Sequence, residues 1–254
     1  MKIVAVIPAH LASVRFPNKI LFPFHGLPMI EHVRRRALLS NQIADVYVAT
    51  CDDEIEDAIK SYGGNVIRTS NTHTNGTSRV AEAIKEIECD FVILLQGDEP
   101  LLLPRHLDAF VKAMTAFPNI VAFNATGPIE NEEELDRHSF VKCAIASDER
   151  ILYCFRRTPC YSEFTQQKEF IRKILGIIAY KRDFLLKLTN LSATPIELAE
   201  YIEQMRIIES GYILKSIPVS PSLPSVNEPE EASIVLEYIN NVEEQKLLLD
   251  TIIS

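Results

Sequence analysis

The sequence lacks paired cysteines and long apolar runs. Its five cysteines are odd in number and never form a C-x-x-C pair, which disfavours a disulfide framework and a zinc site. No apolar run approaches the roughly 18 to 20 residues that cross a bilayer, so any membrane association would have to be peripheral. These absences favour a reducing compartment, and we expect a cytoplasmic protein without membrane insertion.

An excess of positive charge is also missing. Lysine and arginine total 26 against 35 aspartates and glutamates, which gives a formal net charge of -9 at pH 7. A chain of this sign repels the phosphates of DNA and RNA, so we expect no nucleic-acid partner. An anionic ligand would have to be met by a local group of basic side chains.

What the 254 residues do contain, with 47% hydrophobic side chains, is enough for one large α/β domain. Short apolar runs alternate with helical patterns through the first half. We predict strands at Ile3–Ile7, Val46–Ala49, Val66–Arg68, Phe91–Leu95 and Ile120–Asn124, and helices at Met29–Leu39, Asp53–Tyr62, Ser78–Ile87 behind a Thr77 cap, and Leu107–Phe117. That alternation is typical of a doubly wound sheet.

The second half has a different pattern. Further strands are predicted at Val141–Ala146, Ile151–Phe155, Ile174–Tyr180 and Tyr212–Val219, with one helix over Pro195–Ser210 and another from Pro229. The polar stretch from Ser162 to Lys173 indicates a mobile segment, either an inserted flap or a dimer arm.

The loop after the first predicted strand, from Pro8 to Lys19, contains no glycine, so it is neither a G-x-G-x-x-G fingerprint nor a P-loop. It carries two cations four residues apart, Arg15 and Lys19, in a chain that is otherwise acidic. Such a pair suits a triphosphate, since arginine can grip two oxygens and lysine supplies a point charge. A solvated loop with ordinary surface charges explains the spacing equally well.

The loop after the fourth strand reads Gln96-Gly97-Asp98-Glu99-Pro100. Ligands of doubly wound sheets bind at the carboxyl ends of the strands. A carboxylate there is costly unless it is paired or holds a metal, and Mg²⁺ prefers one or two carboxylates plus phosphate oxygens. The alternative is a turn-forming or helix-capping Asp-Glu-Pro.

Nine segments in order resemble those of the CMP-Kdo synthetases, the 3-deoxy-manno-octulosonate cytidylyltransferases. They are I-P-A-x-x-x-S-x-R-x-P-x-K at 7–19, G-x-P-M-I-x-H-V at 26–33, H-x-x-G-T-x-R at 73–79, L-Q-G-D-E-P at 95–100, Val141-Lys142, Leu152-Tyr153 with Arg156, Leu175-Gly176-Ile177, Glu203-Gln204-Met205-Arg206 and the turn from Val226 to Glu231. The resemblance runs almost end to end.

This resemblance implies a three-layer α/β/α, nucleotide-diphospho-sugar-transferase-like (Rossmann-like) fold, with a mixed, mostly parallel sheet and an inserted dimerisation or flap segment. It implies one nucleotidyltransferase domain over 1–254, with a CTP-binding half (1–125), a sugar-acid-binding and dimerisation half (126–225) and a C-terminal helix (226–254). It also implies a homodimer, formed through the segment after Ile120. The implied reaction is Mg²⁺-dependent transfer of CMP from CTP to the anomeric hydroxyl of Kdo, with release of pyrophosphate, for lipopolysaccharide or capsule synthesis.

The resemblance also implies roles for individual residues. Asp98, Lys19 and Arg15 would be catalytic, and Asp98 and Asn227 would hold the metal. CTP would contact Pro8, Ala9, His10, Arg15, Lys19, Gly76, Thr77, Arg79 and Gln96, and the sugar acid would contact Arg156, Ile174, Glu203 and Gln204. On the residues alone, Arg156 could equally end a solvated strand, and Glu203 and Gln204 could lie on an ordinary helix surface.

Four positions depart from the family pattern. His10 stands for a phosphate-facing arginine, Asn227 for the second magnesium carboxylate, Ile174 for a histidine and Cys51 for an aspartate. Histidine is mostly neutral at physiological pH, and an amide ligates Mg²⁺ without adding charge. An apolar side chain in place of a donor disfavours a substrate hydroxyl that needed that donor.

These departures leave three hypotheses. The chain acts on Kdo; or it performs the same chemistry on 8-amino-Kdo, another ulosonic acid or a phosphonate; or it is a nucleotide-binding paralogue with little catalysis. A glycosyltransferase of similar fold fits less well, because the strand-end motif is Gly-Asp-Glu rather than D-x-D.

Overall fold

The computed structural model describes residues 1–13 and 15–253; Val14, in the loop after the first strand, and Ser254 lie outside the described residues. Its strands are β1 (Ile3–Pro8), β2 (Pro23–Phe24), β3 (Leu27–Pro28), β4 (Asp45–Thr50), β5 (Asn65–Arg68), β6 (Phe91–Leu95), β7 (Ala122–Pro128), β8 (Lys142–Ile145), β9 (Ile151–Phe155), β10 (Ile171–Lys181) and β11 (Leu214–Pro218). Its helices are α1 (Met29–Leu38), α2 (Asp53–Ser61), α3 (Gly76–Ala83), α4 (Pro104–Ala116), α5 (Glu133–Asp136), α6 (Phe164–Phe170), α7 (Arg182–Leu188), α8 (Pro195–Glu200), α9 (Gln204–Glu209), α10 (Glu231–Asn241) and α11 (Glu243–Ile253).

The alternation predicted for the first half is confirmed, with one cap misplaced. Thr77 was predicted to cap the helix that follows, but α3 begins at Gly76 and its cap is Asn75. The Asn75 side chain accepts a hydrogen bond from the backbone N–H of Ser78 at 2.8 Å. The extended backbone of Asn75 allows that bond, which satisfies one of the free N–H groups of the first turn.

Two predictions for the second half are wrong. The single helix over Pro195–Ser210 is two helices, α8 and α9, because Tyr201 between them adopts the left-handed conformation with φ of 54°. The last helix is likewise divided, at Val242, into α10 and α11. The stretch from Ser162 to Lys173, predicted to be a mobile flap or dimer arm, forms α6 and the start of β10 and buries Gln167 and Lys173.

The chain divides into two compact units, Met1–Val111 with Leu223–Ser254, and Lys112–Ser222. The first unit holds a parallel sheet in which β1 pairs with both β4 and β6, and β4 pairs with β5. After β5 the chain returns to the far side of β1 to form β6. The order of strands therefore reverses between β1 and β6, the place where open α/β sheets leave a crevice for ligands.

The second unit holds a mixed sheet. Strand β7 pairs in parallel with β11 and antiparallel with the long strand β10, whose first residues also pair with β8, and β8 pairs with β9. The register of β10 on β7 shifts between Ile174, opposite Thr126, and Ile178, opposite Asn124. Three residues of β10 thus face one residue of β7, which is a β-bulge.

No helix within the part of the chain that the structure describes is long and apolar enough to cross a membrane.

A buried histidine ties the β2–β3 hairpin to α1. The Nε2 atom of His32 lies 2.7 Å from the carbonyl oxygen of Phe24, which can only accept, so His32 donates from Nε2. Its other ring nitrogen, Nδ1, is buried without a hydrogen-bond partner among the described residues. Burial therefore lowers the pKa of His32 from 6.5 to about 4, because a proton on Nδ1 would have neither water nor an acceptor.

Because of His32, we expect the fold to lose stability in acid. Between pH 6.5 and pH 4 the unfolded chain binds a proton that the folded chain excludes, so the contribution of His32 is complete above pH 6.5 and is lost as the pH falls to 4. From pH 7 to pH 5 we expect the free energy of unfolding to fall by about 2 kcal/mol through this residue. Urea denaturation of wild type and His32→Gln measures it. Equal pH slopes for the two proteins would contradict the assignment.

Candidate active site

A cavity of about 190 Å³ lies at the carboxyl ends of β1 and β6, in the first unit. The wall comes from three segments: the loop after β1, the approach to α3 and the loop after β6. The lining residues are Pro8, Ala9, His10, Ser13, Lys19, Ile20, His73, Thr74, Asn75, Gly76, Arg79, Gln96, Gly97 and Asp98. Of the residues predicted to contact CTP, only Arg15 and Thr77 are absent from this lining.

An ion pair within the cavity wall joins Lys19 to Asp98. The Lys19 Nζ atom donates to Oδ2 of Asp98 at 2.6 Å and to the carbonyl oxygen of Val226 at 2.9 Å. In return, the backbone N–H of Val226 donates to the Asp98 carbonyl at 2.9 Å. Both side chains are largely buried, 13% exposed for Lys19 and 21% for Asp98, so water screens the pair only in part.

Arg15 lies beside this ion pair but is exposed. Its guanidinium Nη2 donates to Oδ1 of Asn227 at 3.4 Å, and Nη1 lies 3.6 Å from a carboxylate oxygen of Glu228. With 60% of its side chain exposed, Arg15 can reorient at little cost. The structure therefore brings Arg15 to the Asn227 turn rather than into the cavity.

Two glycines allow the three loops to approach closely. A Cβ atom on Gly76 would lie 3.0 Å from the ring of Pro8, and one on Gly97 would lie 3.0 Å from Ile20. The N-terminal end of α3 consequently lies against the end of β1. Helix N-termini favour anions, because their first N–H groups lack helical partners and carry the positive end of the dipole.

Two basic side chains of the wall are held from behind. Arg79 is buried and donates to the hydroxyl of Thr69 at 2.7 Å and to the carbonyl of Ser70 at 3.3 Å. His73 bonds through Nδ1 to the hydroxyl of Ser78 at 3.0 Å and through Nε2 to the carboxylate of Glu82. The hydrogen bond from His73 lowers the pKa of Glu82.

The oxygen atoms near Asp98 could hold magnesium together with phosphate oxygens of a ligand. Among the residues described, no group of three or more histidine, cysteine or acidic side chains is arranged to hold a metal ion. Asp98 and the Asn227 turn are nevertheless adjacent, since Val226 bonds to the Asp98 backbone. A protein site with one carboxylate and one amide oxygen fits Mg²⁺ only when ligand phosphates complete the shell, as is common for this ion.

The residues predicted to contact the sugar acid lie in the second unit. Arg156, at the end of β9, donates to the backbone carbonyls of Glu200, Tyr201 and His138 at 3.0, 3.3 and 3.0 Å. Its guanidinium is therefore bonded to the backbone at the break between α8 and α9. Glu203 precedes α9, and Gln204 begins it. Ile174 is half-buried at the start of the bulge in β10.

Two buried polar residues of this unit were not predicted as site residues. Lys142 is fully buried and donates to the carbonyls of Arg137 and Arg156, and burial lowers its pKa to about 8. Asn124 is fully buried within β7. A signal was present for Asn124, because an amide inside an apolar strand is costly unless it is hydrogen-bonded.

Comparison with known proteins gives consistent matches along the chain. A profile of the family described as cytidylyltransferase matches residues 4–217. The 3-deoxy-manno-octulosonate cytidylyltransferase of Geobacter metallireducens is 33% identical over 94% of this chain and 98% of its own. The 8-amino-3,8-dideoxy-manno-octulosonate cytidylyltransferase of Shewanella piezotolerans is 35% identical over 92% of this chain and 97% of its own.

A solved structure agrees with these sequences. The structure of CMP:2-keto-3-deoxy-manno-octonic acid synthetase complexed with CTP is 34% identical, covers 94% of this chain and 99% of its own, and superposes with a TM-score of 0.89. The mixed, mostly parallel sheet flanked by helices is thus a nucleotidyltransferase-like α/β fold, and the protein is a nucleotidyltransferase enzyme. The chain belongs to the 3-deoxy-manno-octulosonate cytidylyltransferase (CMP-Kdo synthetase) family.

The Lys19 contacts predict a measurable contribution to stability. Lys19→Met should lower the free energy of unfolding by about 1 to 3 kcal/mol, because a charge-assisted hydrogen bond is lost and Asp98 is left without its cation. A matched control is Lys60→Met. Its i,i+4 partner Glu56 also lies 2.6 Å away but at the surface, where water screens the pair, so its loss should be clearly smaller. Urea denaturation of both variants compares the two. Equal losses would show that the Lys19 pair behaves as a surface contact.

Proposed function

We propose that the protein transfers CMP from CTP to the anomeric hydroxyl of Kdo and releases pyrophosphate. The observation that carries this proposal is the Lys19–Asp98 pair in a cavity at the reversal of strand order, in a chain similar to a synthetase solved in complex with CTP. A nucleoside triphosphate would replace this pairing. Its phosphates would be the anions that Lys19 contacts, and Asp98 would then be free to hold a magnesium ion.

The roles of the chain's own residues follow from charge and position. Lys19 would release part of its contact with Asp98 and neutralise phosphate oxygens, assisted by the N-terminal end of α3 at Gly76. Arg15 would turn from the Asn227 turn toward the phosphates. Because phosphoryl-type transfer depends mainly on alignment and on stabilising charge, this arrangement supplies most of the required catalysis without a covalent intermediate.

Magnesium is proposed as the cofactor, with Asp98 and Asn227 as the residues that would hold it. When bound, the ion would neutralise phosphate charge and hold the triphosphate in place. Asn227 contributes an uncharged oxygen, which already accepts a hydrogen bond from Arg15. We therefore expect the chain to require more Mg²⁺ than an enzyme with two carboxylates would.

The choice of acceptor depends on position 174 and on the substrates that the relatives' names give. Ile174 offers no hydrogen bond where the family pattern has a histidine, and relatives at similar identity act on Kdo or on its 8-amino derivative. We propose Kdo first and 8-amino-Kdo second. For an enzyme with either acceptor we propose a place in lipopolysaccharide or capsule synthesis.

We also propose a cytoplasmic location and a homodimeric assembly for the protein. All five cysteines are free, as a reducing cytoplasm maintains them, and we place the enzyme there. We propose a homodimer formed by the second unit. Exposed apolar side chains of that unit support this, namely Leu152, Tyr161, Leu198 and Tyr201.

Pyrophosphate release from a panel of substrates tests the function. The pure protein is incubated with each of the four nucleoside triphosphates, Mg²⁺ and Kdo, 8-amino-Kdo or another ulosonic acid. Of the four nucleoside triphosphates, we expect only CTP to release pyrophosphate. We expect the rate of release to be higher with Kdo than with the other acids. Release with 8-amino-Kdo instead would transfer the proposal to the second acceptor. Binding of CTP without turnover under every condition would contradict the transferase proposal and favour a nucleotide-binding paralogue.

A further inference from the structure

Asn124 joins two segments that were predicted to contact the sugar acid. It lies in the middle of β7, and none of its surface is exposed. Its Nδ2 atom donates to the carbonyl of Leu175 at 2.9 Å and to the carbonyl of Ala125 at 2.8 Å. Its Oδ1 atom accepts a hydrogen bond from Nε2 of Gln204 at 3.1 Å. One buried amide therefore connects β10 to the first residue of α9.

The bulge in β10 explains the first of these contacts. Between Ile174, paired with Thr126, and Ile178, paired with Asn124, the ladder of β10 on β7 is interrupted. The carbonyl of Leu175 lies in that interval and accepts a hydrogen bond from the side-chain amide of Asn124. Bulges of this kind redirect side chains beside binding sites. The bulge begins at Ile174, so Asn124 fixes the strand next to that predicted contact.

The orientation of both amides follows from the same contacts. The two backbone carbonyls can only accept, so the NH₂ group of Asn124 must face them and its Oδ1 must face Gln204. Gln204 can then only donate to Asn124, through Nε2. The Oε1 atom of Gln204 lies on the other side of its amide. Gln204 is half-buried, and within the described residues its side chain makes no hydrogen bond besides the one to Asn124.

We propose that Asn124 is a positioning residue for the acceptor substrate. It holds the side chain of Gln204 so that Oε1 of Gln204 faces the sugar acid. The inference rests on the proposed function, and it specifies the chemistry of the contact. A carbonyl oxygen accepts hydrogen bonds, so the substituent of the acid that meets Gln204 must be a donor, a hydroxyl or an ammonium group. A Gln204 side chain free to turn over would accept either donors or acceptors and would discriminate less.

A neighbouring polar pair provides the matched control. Thr126 lies two residues further along β7, and its hydroxyl lies 2.7 Å from that of Ser216, also buried. This pair lies within the same sheet as Asn124, and neither hydroxyl bonds to Gln204. Thr126→Ala therefore removes a buried hydrogen bond of β7 without changing the orientation of Gln204.

Steady-state kinetics with CTP, Mg²⁺ and either Kdo or 8-amino-Kdo tests the proposal. Asn124→Ala should raise the KM for the sugar acid about five- to tenfold, the loss expected for one hydrogen bond, and leave the KM for CTP within about twofold. Gln204→Ala should raise the KM for the acid similarly. Adding Asn124→Ala to Gln204→Ala should have no further effect, because a positioning residue acts only through its partner. Thr126→Ala should lower Tm and leave both KM values unchanged.

Each outcome separates the two proposals. Suppose that wild type turns over the acid. If Asn124→Ala leaves the KM for the acid unchanged, or raises it by the same factor in wild type and in Gln204→Ala, Asn124 is only a structural residue and the inference is wrong. If wild type turns over no acid, the proposed function fails, and the inference fails with it.

A second measurement applies if Asn124→Ala does not fold. In wild type, NMR hydrogen exchange should show the Nδ2 protons of Asn124 and one Nε2 proton of Gln204 exchanging at least about tenfold more slowly than those of exposed Asn240. Exchange of both Gln204 protons at the rate of Asn240 would overturn the inference.

Discussion

The ion pair between Lys19 and Asp98 is the interaction on which the rest of the site depends. It joins the loop after β1 to the loop after β6, and the second hydrogen bond of Lys19 adds the returning segment at Val226. Three stretches far apart in sequence therefore meet at one ammonium group. The parallel pairing of β1 with β6 brings their carboxyl ends together, and the reversal of strand order there leaves room for a ligand.

Charge explains why this pair suits an anionic nucleotide in an acidic chain. The net charge of -9 repels phosphates over most of the surface, whereas Lys19, Arg79 and the N-terminal end of α3 line one cavity. Arg15 stands at its edge, exposed and loosely held by Asn227 and Glu228. The basic groups buried deepest already have partners, which fixes their positions before any ligand binds. Binding then costs less conformational entropy than it would with free side chains.

The sequence predicted the first half of the fold well, because buried parallel strands and amphipathic helices have strong periodicities. It failed where long-range contacts decide the structure. The break at Tyr201 is one example: Arg156, which follows β9, donates hydrogen bonds to the carbonyls of Glu200 and Tyr201 there. No local pattern at 195–210 contains that information. Asn124 was likewise predicted only as the last residue of a strand, because two of its partners, Leu175 and Gln204, are 51 and 80 residues away.

For the site, the motif segments at 7–19, 73–79 and 95–100 contain all the lining residues of the cavity except Ile20. They did not indicate how those residues are held. His73 is fixed by Ser78 and Glu82, and Arg79 by Thr69, none of which was predicted to matter for the site. Such support is set by distances in the folded chain, so side-chain identity in one sequence does not reveal it.

The turnover of Asp98→Asn tests the central claim most directly. The substitution keeps the shape of the side chain and removes the charge that holds Lys19 and would hold the metal. Asp90→Asn, at the opposite end of β6, is the matched control, since among the described residues its carboxylate contacts Met1 and Lys2 alone. We expect Asp98→Asn to lower kcat at least about 100-fold and Asp90→Asn to leave it within about twofold. A kcat for Asp98→Asn within about tenfold of wild type, roughly 1.4 kcal/mol of barrier, would contradict the account.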